Sequence, residues 1–256
     1  MGLWKSFPAP VLFGTVLAAS AVLIAGEMTA WDNDTDVIRV GAFSDERPGT
    51  QPPSGWESLT YPKIPAHTRY ELVREDIGVV VKASSRASAS GLTRSVRIDP
   101  RRYPVIRWRW KVANILEGAD VNRKDGDDYP ARIYITFEYD PDRSGVFERL
   151  KYETARLIYG RYPPYAAVSY IWESRTPVGT VVPNAYSDRL MMIVTESGAQ
   201  KLNTWVEETR NLYEDYKAAF GREPPMISGV AVMTDTDDTG ESATAWYGDI
   251  TFQSGP

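Results

Sequence analysis

The sequence contains no cysteine and one histidine, His67. Without thiols, disulfides, zinc–thiolate sites, iron–sulfur clusters and thiol nucleophiles are excluded, so any chemistry must run on carboxylates, Tyr, Lys, Arg, Ser or a hard metal ion. Positive charge is also in deficit. The 29 Lys and Arg face 34 Asp and Glu, a net charge of −5, and no global field would draw the chain to nucleic acid. Missing too are G-x-S-x-G, H-E-x-x-H, G-x-x-x-x-G-K-[ST] and G-x-G-x-x-G, which removes the usual hydrolase, zincin, nucleotide and dinucleotide readings. No internal repeat, heptad or low-complexity tract is present.

What the chain does have is length and aromatic content. Its 256 residues suffice for one large domain, 43% hydrophobic content excludes disorder, and eight Trp with fifteen Tyr suit sheets, interfaces or sugar binding. Ser6 to Gly26 carries no charge, follows Lys5 and is almost wholly apolar or small from Val11 to Ala25, which reads as an export signal. The run is longer than a minimal signal core and shorter than a comfortable membrane span, so cleavage and retention as an inner-membrane anchor both stay open. A periplasmic or secreted location follows, and lack of cysteine is compatible with it for a large-core domain.

Val37 to Phe43 alternates as a strand, and Ser44 to Ser54, rich in Pro, Gly and charge, reads as a loop. Strand patterns then recur over 70–74, 79–84, 95–98 and 106–112 as a meander. Arg132 to Tyr139 alternates strictly, with Ile133, Ile135 and Phe137 on one face and Tyr134, Thr136 and Glu138 on the other. Helices are expected from a Ser144 cap to about Tyr159, and over Leu212 to Phe220, stopped by Gly221. Further strands fall at 168–172, 189–195 and 204–209. Ile227 to Thr234 and Thr244 to Phe252 read as a closing hairpin. About ten short strands, two helical insertions and no βαβ rhythm predict an all-β chain, an antiparallel two-sheet β-sandwich of jelly-roll type. The expected divisions are 1–26 as signal peptide or anchor, 27–54 as N-terminal strand and Pro-rich loop, and 55–256 as a single sandwich domain with which 37–43 pairs.

Three polar constellations stand out. Alternation in Arg107-Trp108-Arg109-Trp110-Lys111-Val112 puts Arg107, Arg109 and Lys111 on one face and the indoles on the other. Burying three unpaired cations is costly, so that face must be wet, matched by acids such as Glu138 or Asp249, or occupied by an anionic ligand. Tyr134 or Trp246 would supply flat platforms for sugar rings. The second is the turn carrying Asp235, Asp237, Asp238 and Glu241, with Asp249 on the next strand. Its oxygens suit calcium, although the EF-hand spacing is not met and a solvated, Asx-turn-rich hairpin is the plainer reading. The third, Asp120 to Asp128, is an exposed turn or a loop placing Asp127 and Asp128 beside a ligand. His67 reads as a surface or satisfied residue rather than a catalyst.

The runs GWESLTYPKI, VVVKASSRASASGL, YPVIRWRWKV, KDGDDYPARIYITF and RNLYEDYKAAFGREPPMISGVAVMTDTDDTGESATAWYGDITF resemble an exported bacterial family known as domain of unknown function 3047. That resemblance covers nearly all of the chain after Val37 and implies no activity. More loosely, Trp205, a helical connection and two closing strands are similar to galactose-binding-like jelly rolls of carbohydrate-binding modules, which implies a sugar-binding sheet face and a structural calcium. The expected function is non-catalytic binding of a carbohydrate or anionic envelope component. Two alternatives are a polysaccharide lyase or hydrolase, and a structural envelope protein that contacts another protein through the Tyr-rich stretch 150–165.

Overall fold

Alternating side chains make strands with one apolar face each, and such strands need a second sheet against which to bury it. A computed structural model describes residues 37–139, 152 and 164–254, and in it thirteen strands form two facing sheets. The six-stranded sheet contains β1 (Val37–Gly41), β3 (Arg69–Glu75), β4 (Gly78–Arg86), β6 (Val105–Val112), β11 (Val206–Asn211) and β13 (Ser242–Gln253). Its order is β11-β6-β13-β4-β3, with β1 also paired to β13. The seven-stranded sheet runs β2 (Glu57–Leu59), β5 (Ala89–Ile98), β12 (Ile227–Asp235), β7 (Ala131–Phe137), β8 (Ala166–Glu173), β10 (Ser187–Ser197) and β9 (Val181–Asn184).

The sandwich is of jelly-roll type because the chain keeps changing sheets. Successive strands β4, β5, β6 and β7 alternate between them, β13 lies between β4 and β6, and β12 lies between β5 and β7. The meander expected over this stretch is therefore confined to the β3–β4 hairpin, and β12 and β13 are not a hairpin. At the β4–β5 corner Ala87 takes a φ of +44°, and the Ser85 hydroxyl lies 2.9 Å from Ser88 Oγ and 2.8 Å from Thr236 Oγ1. Those hydroxyls satisfy a turn that would otherwise bury bare polar groups. One pair departs from the antiparallel pattern: β8 and β10 are parallel, because the chain returns through β9, which pairs with the far edge of β10.

On β6 the expected alternation holds. Trp108, Trp110 and Val112 enter the inter-sheet core while Arg107 and Arg109 are exposed and Lys111 is half-buried. Across the core Trp108 stacks on Tyr170 with centroids 4.9 Å apart, and Trp110 meets Trp172 at 5.9 Å. On β7, Ile133, Ile135 and Phe137 join the same core. Helix α1 (Leu212–Phe220) occupies the expected span, with Asn211 accepting the Glu214 N–H and Gly221 at φ +67° ending it. It packs through Tyr216 on Phe137, and its Asp215 accepts a hydrogen bond from Tyr170 at 2.8 Å. The helix expected over 144–159 lies outside the described residues except for Tyr152, which is helical, and the export segment lies outside them altogether.

Glu208 on β11 turns toward the core edge. Burial first, and then the Glu196 carboxylate, push its carboxyl from the ordinary 4.5 up to about 7, opposed by Lys201, Trp110 and Arg210. Between those two values the folded chain holds a proton that the unfolded chain has released, so stability falls as pH rises through that window. Thermal melts of a Glu208→Gln variant should match the parent near pH 4.5. Above pH 7 the variant should be more stable, by on the order of 1–2 kcal/mol after discounting for the partial exposure of the group. Parallel melting curves at both pH values would contradict this.

Candidate functional site

Two polar regions are built on opposite outer faces of the sandwich. On the six-stranded sheet, the register sets Glu207 against Arg109 and Trp246 against Lys111. Arg109 donates to Glu207 at 2.8 Å through Nε and 2.7 Å through a terminal nitrogen. Both side chains are about half exposed (51% and 50%), so the pair contributes roughly 0–1 kcal/mol and yields easily to a competing anion. Lys111 is held more firmly. Its ammonium donates to Glu75 at 2.6 Å and sits 4.5 Å from the Trp246 ring and 5.0 Å from the Trp205 ring, with its side chain only 13% exposed. Arg107 has no carboxylate partner among the described residues.

The tip of the β3–β4 hairpin lies against this face. Glu75 takes Lys111, Asp76 accepts the Trp205 indole N–H at 3.0 Å, and Ile77 comes against Gly248, where a Cβ would stand 3.2 Å from that of Arg109. Beside the tip is an open groove of about 390 Å³ lined by Arg107, Arg109, Glu207, Asp249 and Thr251 among others. The acids matched to the cation row are thus Glu207 and Glu75, not Glu138 or Asp249. Glu138 pairs with Arg97 at 2.9 Å, and Asp249 accepts from the Ser44 N–H at 2.8 Å, the Ser44 hydroxyl at 2.6 Å and Arg39 at 3.1 Å. Asp249 therefore fastens the N-terminal strand to β13 instead of joining the acidic turn.

The second region lies on the outer face of the seven-stranded sheet, where Tyr134 also sits, and this overturns its pairing with Trp246 as a sugar platform. Two loop layers roof that face. Tyr61 and Ile64 pack on Tyr134, Ala231 and Met233, while Val121 and Tyr129 pack on Ile171, Met192 and Val194. Tyr134 is completely buried beneath them. Next to it on β7, Arg132 is also completely buried, the only buried cation among the described residues. Its guanidinium lies 4.9 Å from the Tyr129 ring and 5.4 Å from the Tyr134 ring, pairs with Asp235, and reaches Asp127 at 3.5 Å.

Around Arg132 the structure gathers Asp127, Asp128, Asp235 and Asp237 from two distant stretches of chain. Asp127 accepts the Asn184 amide at 2.8 Å, Asp235 accepts the Tyr129 N–H at 3.3 Å, and Asp128 accepts the Thr239 N–H at 2.6 Å. Burial pushes the Asp128 carboxyl up from its usual range; the Thr239 hydrogen bonds oppose this and the Asp237 charge adds to it. Of the other expected metal ligands, Asp238 is half-buried outside this group, and Glu241 accepts the Glu117 and Gly118 N–H groups at 3.1 and 2.8 Å. Sequence reasoning found the acids and Tyr134 but missed Arg132. The signal was present, since an Arg between alanine and isoleucine on the outer face of the most regular strand needs a counter-charge. Because removing one member of a buried charge cluster strands the others, Arg132→Ala should lower unfolding stability by about 3–5 kcal/mol. A denaturant midpoint within error of the parent would contradict that.

No curated protein matches the chain. Among solved structures it is similar to the family 11 carbohydrate-binding module of the cellulosomal cellulase Lic26A-Cel5E of Clostridium thermocellum, with 10% identity, 86% of this chain and 95% of that one covered, and a TM-score of 0.42. It is also similar to a family 12 xyloglucanase from Bacillus licheniformis, with 7% identity, coverage of 85% and 98%, and a TM-score of 0.43. Residues 54–251, which span both polar regions, match the family described as "Protein of unknown function (DUF3047)", and the chain belongs to that family.

Proposed function

We propose that this protein is an exported, non-catalytic β-sandwich that binds a carbohydrate or other anionic envelope component on the outer face of its six-stranded sheet. The observation that carries this reading is the groove of about 390 Å³ in which Arg107 and Arg109 stand beside the hydroxyl of Thr251, on a sheet face that also bears two half-buried indoles. Among the described residues no carboxylate takes the Arg107 guanidinium fork, which suits a carboxylate or sulfate, and Arg109 can exchange Glu207 for a ligand anion at little cost. Trp205 and Trp246 flank Lys111 and offer flat apolar surface with polar edges, which suits the mixed character of a sugar ring. Lys111 serves as a clamp, holding the hairpin tip through Glu75 and both indoles through its charge. Export rests on the uncharged run Ser6 to Gly26.

Affinity electrophoresis and calorimetry against uronic, sulfated and neutral polysaccharides test the assignment. Binding to at least one acidic polymer is expected, weakened about tenfold or more by Arg107→Ala, Arg109→Ala or Trp246→Ala, and unchanged by Tyr134→Phe. If no polymer binds, or if the three face variants bind like the parent, the assignment is wrong. Unsaturated-sugar absorbance appearing during incubation with a uronic polymer would replace the binder with a lyase.

A further inference from the structure

We infer that the lateral edge of the sandwich carries a second binding site, a blind cavity that takes one neutral sugar residue from a chain end or branch. The cavity measures about 160 Å³ and lies between β3, the edge strand of the six-stranded sheet, and the β2–β5 edge of the seven-stranded sheet. Residues 50–53 complete its wall. It shares no lining residue with the groove beside Arg107 and Arg109, and it opens between the sheets and not on an outer face.

The lining sets the class of ligand. Leu72, Val81 and Leu92 belong to the inter-sheet core and form an apolar floor, which closes the space at its inner end. No lysine or arginine is among the described residues that line it, and the carboxylate there, Glu71, is already paired with Arg69 at 2.8 Å. A charged ligand would enter without a counter-ion, whereas a neutral one gives up no ionic hydration. Dry cavities of about 150 Å³ hold one benzene molecule, so this space takes one six-membered ring. A sugar ring meets both surfaces, with an apolar face for the floor and hydroxyls for the walls.

The walls offer hydrogen-bonding groups that the fold leaves over. Thr50, Gln51, Ser58, Thr60 and His67 line the cavity, and their side chains bond no other group among the described residues. They bring donors and acceptors from three separate stretches of chain. Other polar walls are already spent. Thr68 donates to the Thr234 carbonyl at 2.7 Å, Ser90 to the Thr68 carbonyl at 3.1 Å, and Tyr70 to the Ser90 carbonyl at 2.6 Å. The Tyr70 hydroxyl also accepts the Thr234 N–H at 3.2 Å, so Tyr70 is fixed in advance and what it offers a ligand is ring and backbone.

That backbone is open for a reason written in the chain. Leu72 exchanges both of its backbone bonds with Gly49, at 2.7 and 2.9 Å, which turns its peptide groups away from β4. Orientation alternates along an antiparallel ladder, so the N–H and C=O of Tyr70 point away from β4 as well. Pro52 and Pro53 prevent residues 50–53 from continuing as a strand, and none of these residues makes a backbone bond to Tyr70. One donor and one acceptor are thus left at the edge that the cavity occupies.

Calorimetry with the full chain and a panel of neutral monosaccharides and their methyl glycosides tests the site. At least one sugar should bind at millimolar concentration, and Gln51→Ala and His67→Ala should each weaken it about threefold to tenfold, the worth of a hydrogen bond. Thr60→Trp, which sets a large ring among the exposed lining residues, should abolish binding. These three side chains are exposed and bond nothing, so the variants should melt like the parent. Arg107→Ala and Trp246→Ala should bind the sugar like the parent, and a polymer of that sugar should bind per chain end. The site does not depend on the groove, and the two readings fail separately. Acidic-polymer binding without any monosaccharide binding overturns the cavity alone, and monosaccharide binding without polymer binding overturns the groove alone. The cavity is also overturned if Gln51→Ala, His67→Ala and Thr60→Trp all bind like the parent, or if Trp246→Ala abolishes monosaccharide binding.

Discussion

Trp108 and Trp110 reach from β6 across the sandwich to Tyr170 and Trp172 on β8, and the placement of every polar group on β6 follows from that contact. Successive residues of a strand point to opposite faces, so indoles buried at 108 and 110 force residues 107, 109 and 111 outward. Large aromatic rings in stacked and tilted contact across the two sheets bury much area. The orientation of the cation row is thus a consequence of core packing, and no partner on the surface is needed to explain it.

What happens to those cations is decided by lateral neighbours. Glu207 faces Arg109 because β11 pairs with β6, and Glu75 meets Lys111 because the β3–β4 hairpin tip comes to lie on the same face. The two pairs differ in kind. Arg109 and Glu207 are screened by water and exchange easily, whereas the Lys111 ammonium is caged by a carboxylate and two indoles and acts as scaffold. The face therefore combines a fixed aromatic wall with adaptable guanidinium groups, a combination suited to a ligand with both flat and charged parts.

The opposite face follows a different logic. Loops roof the seven-stranded sheet, so Arg132 and the acids about it meet in a medium that penalises charge. Arg132 offsets part of that cost by pairing with Asp235 and reaching Asp127, and Asn184, Tyr129 and Thr239 donate hydrogen bonds to the acids. This buried, acid-rich cluster and the open groove on the other sheet are separated by the aromatic core, so a change in one should leave the other intact.

Local pattern determined much of this protein from its sequence. Strict alternation in RWRWKV and RIYITF fixed which side chains point inward, Gly221 stopped the helix, and the missing cysteines restricted the available chemistry to oxygen and nitrogen groups. Tertiary structure alone decided which strands lie side by side, since a period of two names a face and not a neighbour. It separated β12 from β13, set β8 parallel to β10, and paired Arg109 with Glu207. It also moved Tyr134 from an imagined surface to a buried pocket, because burial of an outer face depends on loops far along the chain, and brought Asp128 to Asp235 and Asp237 across a separation that no sequence window spans.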